Sequence, residues 1–164
     1  CGNDLERKEK TPLFNPIWSL VAASVIAVIG GIVVYRQVVA HLSESSSEED
    51  FQARRQRAYS SFVIRFLLVE LVSMSILLYG MYHIVVLRTV EFADVTLPLA
   101  VVLLTILFAF LSLYFTTSQI TKDPQASEDV KRFMSSMMIM GFGLISGLPV
   151  ASLFLLFGVM NQWF

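Results

Sequence analysis

Four long apolar stretches constrain the fold of this chain more than any other feature of its sequence. They cover residues 17–35, 62–87, 95–115 and 133–160, and their only formally charged side chains are Arg65 and Glu70. At about 1.5 Å per residue, each stretch is long enough as a helix to cross a hydrocarbon core of roughly 30 Å. The sequence therefore predicts four transmembrane helices.

The composition agrees with a membrane location. Of the 164 residues, 55% are hydrophobic and 15% are charged, whereas soluble domains are roughly 45–50% apolar. We predict an all-α membrane protein whose four transmembrane helices form two antiparallel hairpins. Its parts are a polar N-terminal tail (residues 1–15), a first hairpin (16–90) and a second hairpin (91–164).

Local signals mark where the helices begin and turn. Asn15 and Pro16 are suited to the N-cap and first position of the first helix. The segment "FQARRQRAYSS" is expected to continue as helix into the second span, and "SEDVKR" to open the fourth. Pro149 lacks a backbone N–H, so we expect a kink there. The short link 88–94 predicts that the second and third helices are neighbours.

The basic residues predict the orientation of the chain in the membrane. Positive residues favour the cytoplasmic side. Eight of them flank the first and third loops: Arg36, Arg54, Arg55, Arg57, Arg65, Lys122, Lys131 and Arg132. Four lie at the other side: Arg7, Lys8, Lys10 and Arg88. We therefore expect loops 41–61 and 116–132 in the cytoplasm and both termini outside.

The two halves of the chain look alike. "RAYSSFVIRFLLVELVSMSILLYG" and "RFMSSMMIMGFGLISGLPVASLFLLFG" both enter an apolar span through a Ser-Ser pair that follows a charged loop. This pattern favours an internal duplication. The alternative is that any two apolar hairpins share such features.

Glu70 is the one carboxylate inside an apolar stretch. A charge near the middle of a membrane helix costs on the order of 3 kcal/mol, so such residues usually have a function or a partner. We consider Glu70, Ser73 and Ser146 as a candidate ion-binding set. An ion-carrying Glu70 would be ionised beside an arginine, for which Arg36 is the better candidate. The alternative is a structural Glu70 that is neutral or hydrogen bonded and ties the helices together, with Ser146 or Ser152 as its partner.

A family resemblance bears on this choice. "LLVELVSMSILLYG" resembles the outer helix of the proteolipid, or c-type, subunit of rotary-ATPase membrane rings, and "GLISGLPVASLFLLFG" is similar to it with Ser146 in place of the carboxylate. The resemblance implies a duplicated four-helix hairpin pair with Glu70 as the ion carrier. However, rings of that family are lined by glycine-rich helices, whereas the third stretch here has bulky side chains and no glycine. We therefore expect a proteolipid-like protein that does not form a rotor.

Three further features are candidates for binding or attachment. Cys1 is the only cysteine, and it is either a lipid attachment site or simply a processed start. His83 is a weak candidate for binding a cofactor such as haem, and no second intramembrane histidine accompanies it. The glycines of "GFGLISG", Gly141, Gly143 and Gly147, predict a face for close helix packing within the bundle or against a partner.

These observations favour a small non-catalytic subunit or accessory protein within a larger membrane complex. No nucleophile–base pair, metal-ligand spacing or phosphate-binding loop is visible, so we expect no enzyme activity, metal or cofactor. The net charge of −1 gives no indication of nucleic-acid binding. The expected partners are membrane lipids and other integral membrane subunits, including copies of this chain. The alternative function is proton or sodium translocation through Glu70.

Overall fold

The computed structural model describes residues 16–43, 48–86, 95–122, 128–161 and 163, and in these ranges the chain is all α-helical with no strand. Helix α1 spans Pro16–Ser43, α2 spans Glu48–Val85, α3 spans Thr96–Thr121 and α4 spans Glu128–Met160. The predicted all-α class with four long apolar helices is therefore confirmed, while the hairpin pairing and the internal duplication stay predictions. The N-terminal tail with Cys1 and Asn15 lies outside the described residues.

All four helices are long and apolar enough to cross a membrane. The spanning segments are Pro16–Ala40, Tyr59–Val85, Thr96–Thr121 and Glu128–Met160. The chain is thus a multi-pass membrane protein by the length and composition of its helices. Helix α2 begins eleven residues before its spanning segment, which confirms that "FQARRQRAYSS" is helical.

The other helix ends lie near their predicted positions. Helix α4 begins at Glu128, as "SEDVKR" predicts, and it continues through Pro149 to Met160. Helix α3 runs beyond the predicted end at residue 115 to Thr121, and the hydroxyls of Thr116 and Thr121 donate to carbonyls one turn back.

Helix α1 forms the centre of the bundle. It packs against each of the other three helices, whereas α2 and α3 barely contact one another. In the most apolar part of α1, 61% of the residues are buried, whereas 22% are buried in the corresponding part of α2 and 28% in that of α3. The prediction that the second and third helices are neighbours is therefore wrong. Their short link limits how far apart they can lie, but α1 occupies the space between them.

Glycine allows the helices to approach α1 closely. A Cβ atom on Gly30 would overlap the side chain of Val69 in α2, and a Cβ on Gly31 would lie 2.6 Å from Cγ1 of Ile145 in α4. Small residues are the usual means of bringing membrane helices together, because no hydrophobic effect drives them to associate in lipid. The two adjacent glycines thus let α2 and α4 pack against α1 at one depth.

Cross-helix hydrogen bonds join the same core. The hydroxyl of Ser24 in α1 lies 2.9 Å from that of Ser152 in α4. Nearer the other end of α1, the hydroxyls of Tyr35 and Thr117 of α3 share a 2.6 Å bond. All four side chains are buried. Each of these four buried hydroxyls therefore has a partner, as an apolar surrounding requires.

Candidate functional site

Glu70 lies partly buried in the membrane-spanning part of α2. Within the described part of the chain, its carboxyl accepts no hydrogen bond and forms no ion pair. A carboxyl in that position normally requires one or the other, because the hydrocarbon offers no water in exchange. Glu70 is thus a carboxyl inside a membrane span that has no partner among the described residues.

The serines predicted to join Glu70 bond elsewhere. Ser73 is fully buried, and its hydroxyl donates to the carbonyl of Val69 at 3.1 Å. The hydroxyl of Ser146 donates to the carbonyl of Phe142 on its own helix at 2.7 Å. Ser152, the other suggested partner in α4, bonds to Ser24, as described above. The structure therefore does not bring these hydroxyls to the Glu70 carboxyl.

The arginines near Glu70 also have other partners. Nη2 of Arg36 reaches the hydroxyl of Ser112 in α3 at 3.5 Å, and Nη1 of Arg65 donates to Oε1 of Gln37 at 2.9 Å. The suggested pair of Arg36 with Glu70 is therefore wrong. Arg36 turns toward α3, and the body of α1 separates that side of the bundle from α2.

The side of α2 that carries Glu70 turns toward α4. Eleven residues before Glu70, the hydroxyl of Tyr59 lies 3.7 Å from the sulfur of Met140 in α4. Eleven residues are close to three full turns at 3.6 residues per turn, so Glu70 lies only about 20° around the helix from Tyr59. By the same rule, Gly147 lies about 20° from Met140 on α4.

Glu70 and Gly147 also lie at similar depth. Val69 and Ile145 contact the adjacent glycines 30 and 31 of α1, so the residues just beyond them, Glu70 and Gly147, are nearly level. Nothing lies within 4 Å of the position that a Cβ on Gly147 would occupy. From these positions we infer an open groove between α2 and α4 at this depth, with Glu70 on one side and Gly147 on the other. We call it the Glu70 groove.

The three glycines of "GFGLISG" differ in their surroundings. Gly141 is packed in the bundle, where a Cβ would lie 3.2 Å from Tyr35 and 3.4 Å from Leu113. Gly143 and Gly147 have no atom within 4 Å of their Cβ positions. They take no part in the packing of this chain, so a role for them in helix packing stays a prediction about a partner.

His83 packs among aromatic rings of its own helix. Its ring centroid lies 4.5 Å from that of Tyr79 and 5.9 Å from that of Tyr82. No group of three His, Cys, Asp or Glu side chains that could hold a metal occurs among the described residues. Cofactor binding by His83 and lipid attachment at Cys1 stay predictions.

Reasoning from the sequence missed several residues that hold the bundle together. Gly80 of α2 faces Ser19 and the carbonyl of Pro16, and a Cβ there would overlap the Ser19 hydroxyl. The signal that could have found it is a glycine of α2 opposite a serine of α1 when the two helices are aligned antiparallel. The central position of α1 was also missed, and the signal that could have found it is the number of small residues in that helix.

Comparison with known proteins gives no relative. No family profile matches the chain, and no curated protein or solved structure is significantly similar to it.

Proposed function

We propose that this chain is a small non-catalytic subunit of a larger membrane complex. The observation that supports this most directly is the Glu70 carboxyl, which lies in the apolar span of α2 without a partner among the described residues and borders the Glu70 groove. Placing a charged carboxyl near the middle of a membrane helix costs about 2.5–3.5 kcal/mol on insertion scales. A helix of another subunit that donates a hydrogen bond to Glu70 would offset this cost.

The shape of the Glu70 groove fits such a helix. Its α4 wall includes Gly147 and the exposed Ala151, which let another backbone come close. Large apolar side chains, among them Leu71 and Leu104, are more than 60% exposed on α2 and α3. These faces would contact lipid or neighbouring subunits. We also propose that the end of the bundle with Arg57 and Lys122 faces the cytoplasm.

The second candidate function is proton or sodium translocation by a proteolipid-like subunit. It is favoured by the same carboxyl, since Glu70 is reachable from the groove and is not held by another side chain of the described chain. Against it, the hydroxyls of Ser73 and Ser146 bond to their own helices. A coordinating set for a metal cation would need several oxygen ligands at one point.

Two substitutions at one position separate these functions. We expect Glu70→Gln, which retains hydrogen bonding, to preserve the size of the native complex on a non-denaturing gel. We expect Glu70→Leu to release the chain from it. Ser75→Leu is the matched control, because Ser75 is exposed on α2 and lies about 140° around the helix from Glu70.

A cross-linking experiment tests whether the partner subunit lies in the Glu70 groove. In a Cys1→Ser background, Gly147→Cys should cross-link to the partner, and Glu70→Leu should abolish the product. If both Glu70 variants assemble like the unsubstituted chain, the subunit proposal fails. If Glu70→Gln retains assembly but stops ion flux in reconstituted vesicles, the translocation function replaces it.

A further inference from the structure

A groove on the surface of α2 lies at the basic end of the bundle. It has a volume of about 740 Å³ and is shallow and largely open to its surroundings. This volume lies within the range of roughly 300–1,000 Å³ that is usual for small-molecule sites. Its walls include the side chains of Gln56, Arg57, Ser60, Ser61, Ile64 and Arg65. We call it the basic groove.

The basic groove is rich in hydrogen-bond donors. Arg57 and Arg65 are both exposed, and neither forms an ion pair with any residue that the structure describes. Arg65 uses one N–H on Gln37, and a guanidinium has five in total. The hydroxyls of Ser60 and Ser61 lie between the two arginines along the helix. The groove therefore presents two positive charges to an oxyanion.

The depth of the groove is that of a lipid headgroup. Arg57 precedes the apolar segment of α2, which begins at Tyr59. Arg65 lies about 9 Å further along the helix axis than Tyr59, at 1.5 Å per residue. A long arginine side chain can extend from that depth back to the interface. The exposed Ile64 lies next to Arg65 and is apolar, so it can contact the start of an acyl chain.

We propose that the basic groove binds the phosphate of an anionic phospholipid from the adjacent leaflet. Arg57 and Arg65 would bind the phosphate oxygens from two sides, with the serine hydroxyls between them, since guanidinium groups make strong paired hydrogen bonds to phosphate. Basic residues at a membrane surface generally attract anionic lipids. The groove adds a defined location to that general attraction. The proposal is independent of Glu70 and of the complex proposed above.

The test measures lipid binding to the full chain in a neutral detergent by native mass spectrometry. The probes are phosphatidylglycerol, phosphatidylcholine and inorganic phosphate. We expect phosphatidylglycerol to bind best. We expect the double variant Arg57→Gln and Arg65→Gln to weaken its binding about tenfold, because two charge-assisted hydrogen-bonding groups are lost.

A second pair of basic residues gives a matched control. Lys122 and Arg132 are exposed near the same end of the bundle, on α3 and α4, so Lys122→Gln with Arg132→Gln removes the same charge elsewhere. We expect this variant to bind phosphatidylglycerol within about twofold of the unsubstituted chain. An equal loss in both double variants would overturn the proposal, because it would indicate a general effect of charge.

Two further results would also overturn it. One is equal binding of phosphatidylcholine and phosphatidylglycerol. The other is displacement of the lipid by inorganic phosphate at the same concentration, which would assign the groove to a free anion. Should the double variant fail to fold, Arg57→Gln alone carries the test, because Arg57 precedes the apolar span and makes no bond to the described residues. We then expect weakening of about threefold, and unchanged binding would refute the site.

Discussion

Gly80 offers a sharp test of the packing between α1 and α2. A Cβ on this residue would overlap the hydroxyl of Ser19 and would lie 3.1 Å from Cδ2 of Leu20 and 3.2 Å from the carbonyl oxygen of Pro16. The carbonyl belongs to the backbone and cannot move aside like a flexible side chain. Overpacking of this kind costs about 1–3 kcal/mol, while alanine gains up to about 1 kcal/mol over glycine in a helix.

We therefore expect Gly80→Ala to lower the free energy of unfolding by up to about 2 kcal/mol, which is the overpacking cost less the full helix-propensity gain. Gly147→Ala is the matched control, because nothing lies within 4 Å of its Cβ position, and it should be neutral or slightly stabilising. Both variants share the helix-propensity gain, so their difference measures the packing cost. The assay is reversible unfolding in mixed micelles titrated with dodecyl sulfate and followed by circular dichroism.

A second substitution identifies the atom responsible. The Ser19 hydroxyl donates to the carbonyl of Pro16 at 2.6 Å and lies directly opposite Gly80. In a Ser19→Ala background the overlapping oxygen is gone, so Gly80→Ala should cost about 1 kcal/mol less than in the unsubstituted chain. Equal stability of the Gly80→Ala and Gly147→Ala variants, or strict additivity of the two substitutions at positions 19 and 80, would refute the described α1–α2 interface.

Two further predictions concern the bundle core and its orientation. A double-mutant cycle of Ser24→Ala and Ser152→Ala should give a coupling of about 0.6 kcal/mol and at most about 1.7 kcal/mol, as other membrane hydrogen bonds do; zero coupling in the same unfolding assay would contradict the bond. In a Cys1→Ser background, a membrane-impermeant maleimide should label Trp163→Cys on intact cells and Lys122→Cys only after permeabilisation; the reverse pattern would invert the proposed orientation.

The sequence was sufficient to predict the four helices and the early start of α2 and α4. Long uncharged apolar stretches have few alternatives to a membrane helix, because every backbone group must bond internally in lipid. The segment "SEDVKR" has polar and acidic residues suited to a first helical turn, and α4 begins at Glu128 within it. Whether a stretch of this chain forms a helix is thus decided by the residues of that stretch, so each helix could be predicted from its own segment alone.

The arrangement of the helices could not be predicted in the same way. The link at 88–94 suggested contact between α2 and α3, but both helices pack against α1 and barely contact one another. The partner of Arg36 could not be predicted from the sequence either. Its predicted place at the cytoplasmic end of the first span made it a candidate to pair with Glu70, yet the rotation of α1 directs Arg36 toward Ser112. Helix rotation depends on all the contacts of a helix together, and a single sequence does not contain them.

The central position of α1 has a consequence for how the bundle is assembled in the membrane. Ribosomes make α1 before the three helices that cover it, so its small residues face lipid while the rest of the chain is still being synthesised. Helix α2 can shield one side early, but Tyr35 must wait for α3 and Ser24 must wait for α4, the last helix to arrive. The bundle therefore closes only once α4 is inserted, and a chain that stops before α4 exposes Gly31 and the Ser24 hydroxyl to the bilayer.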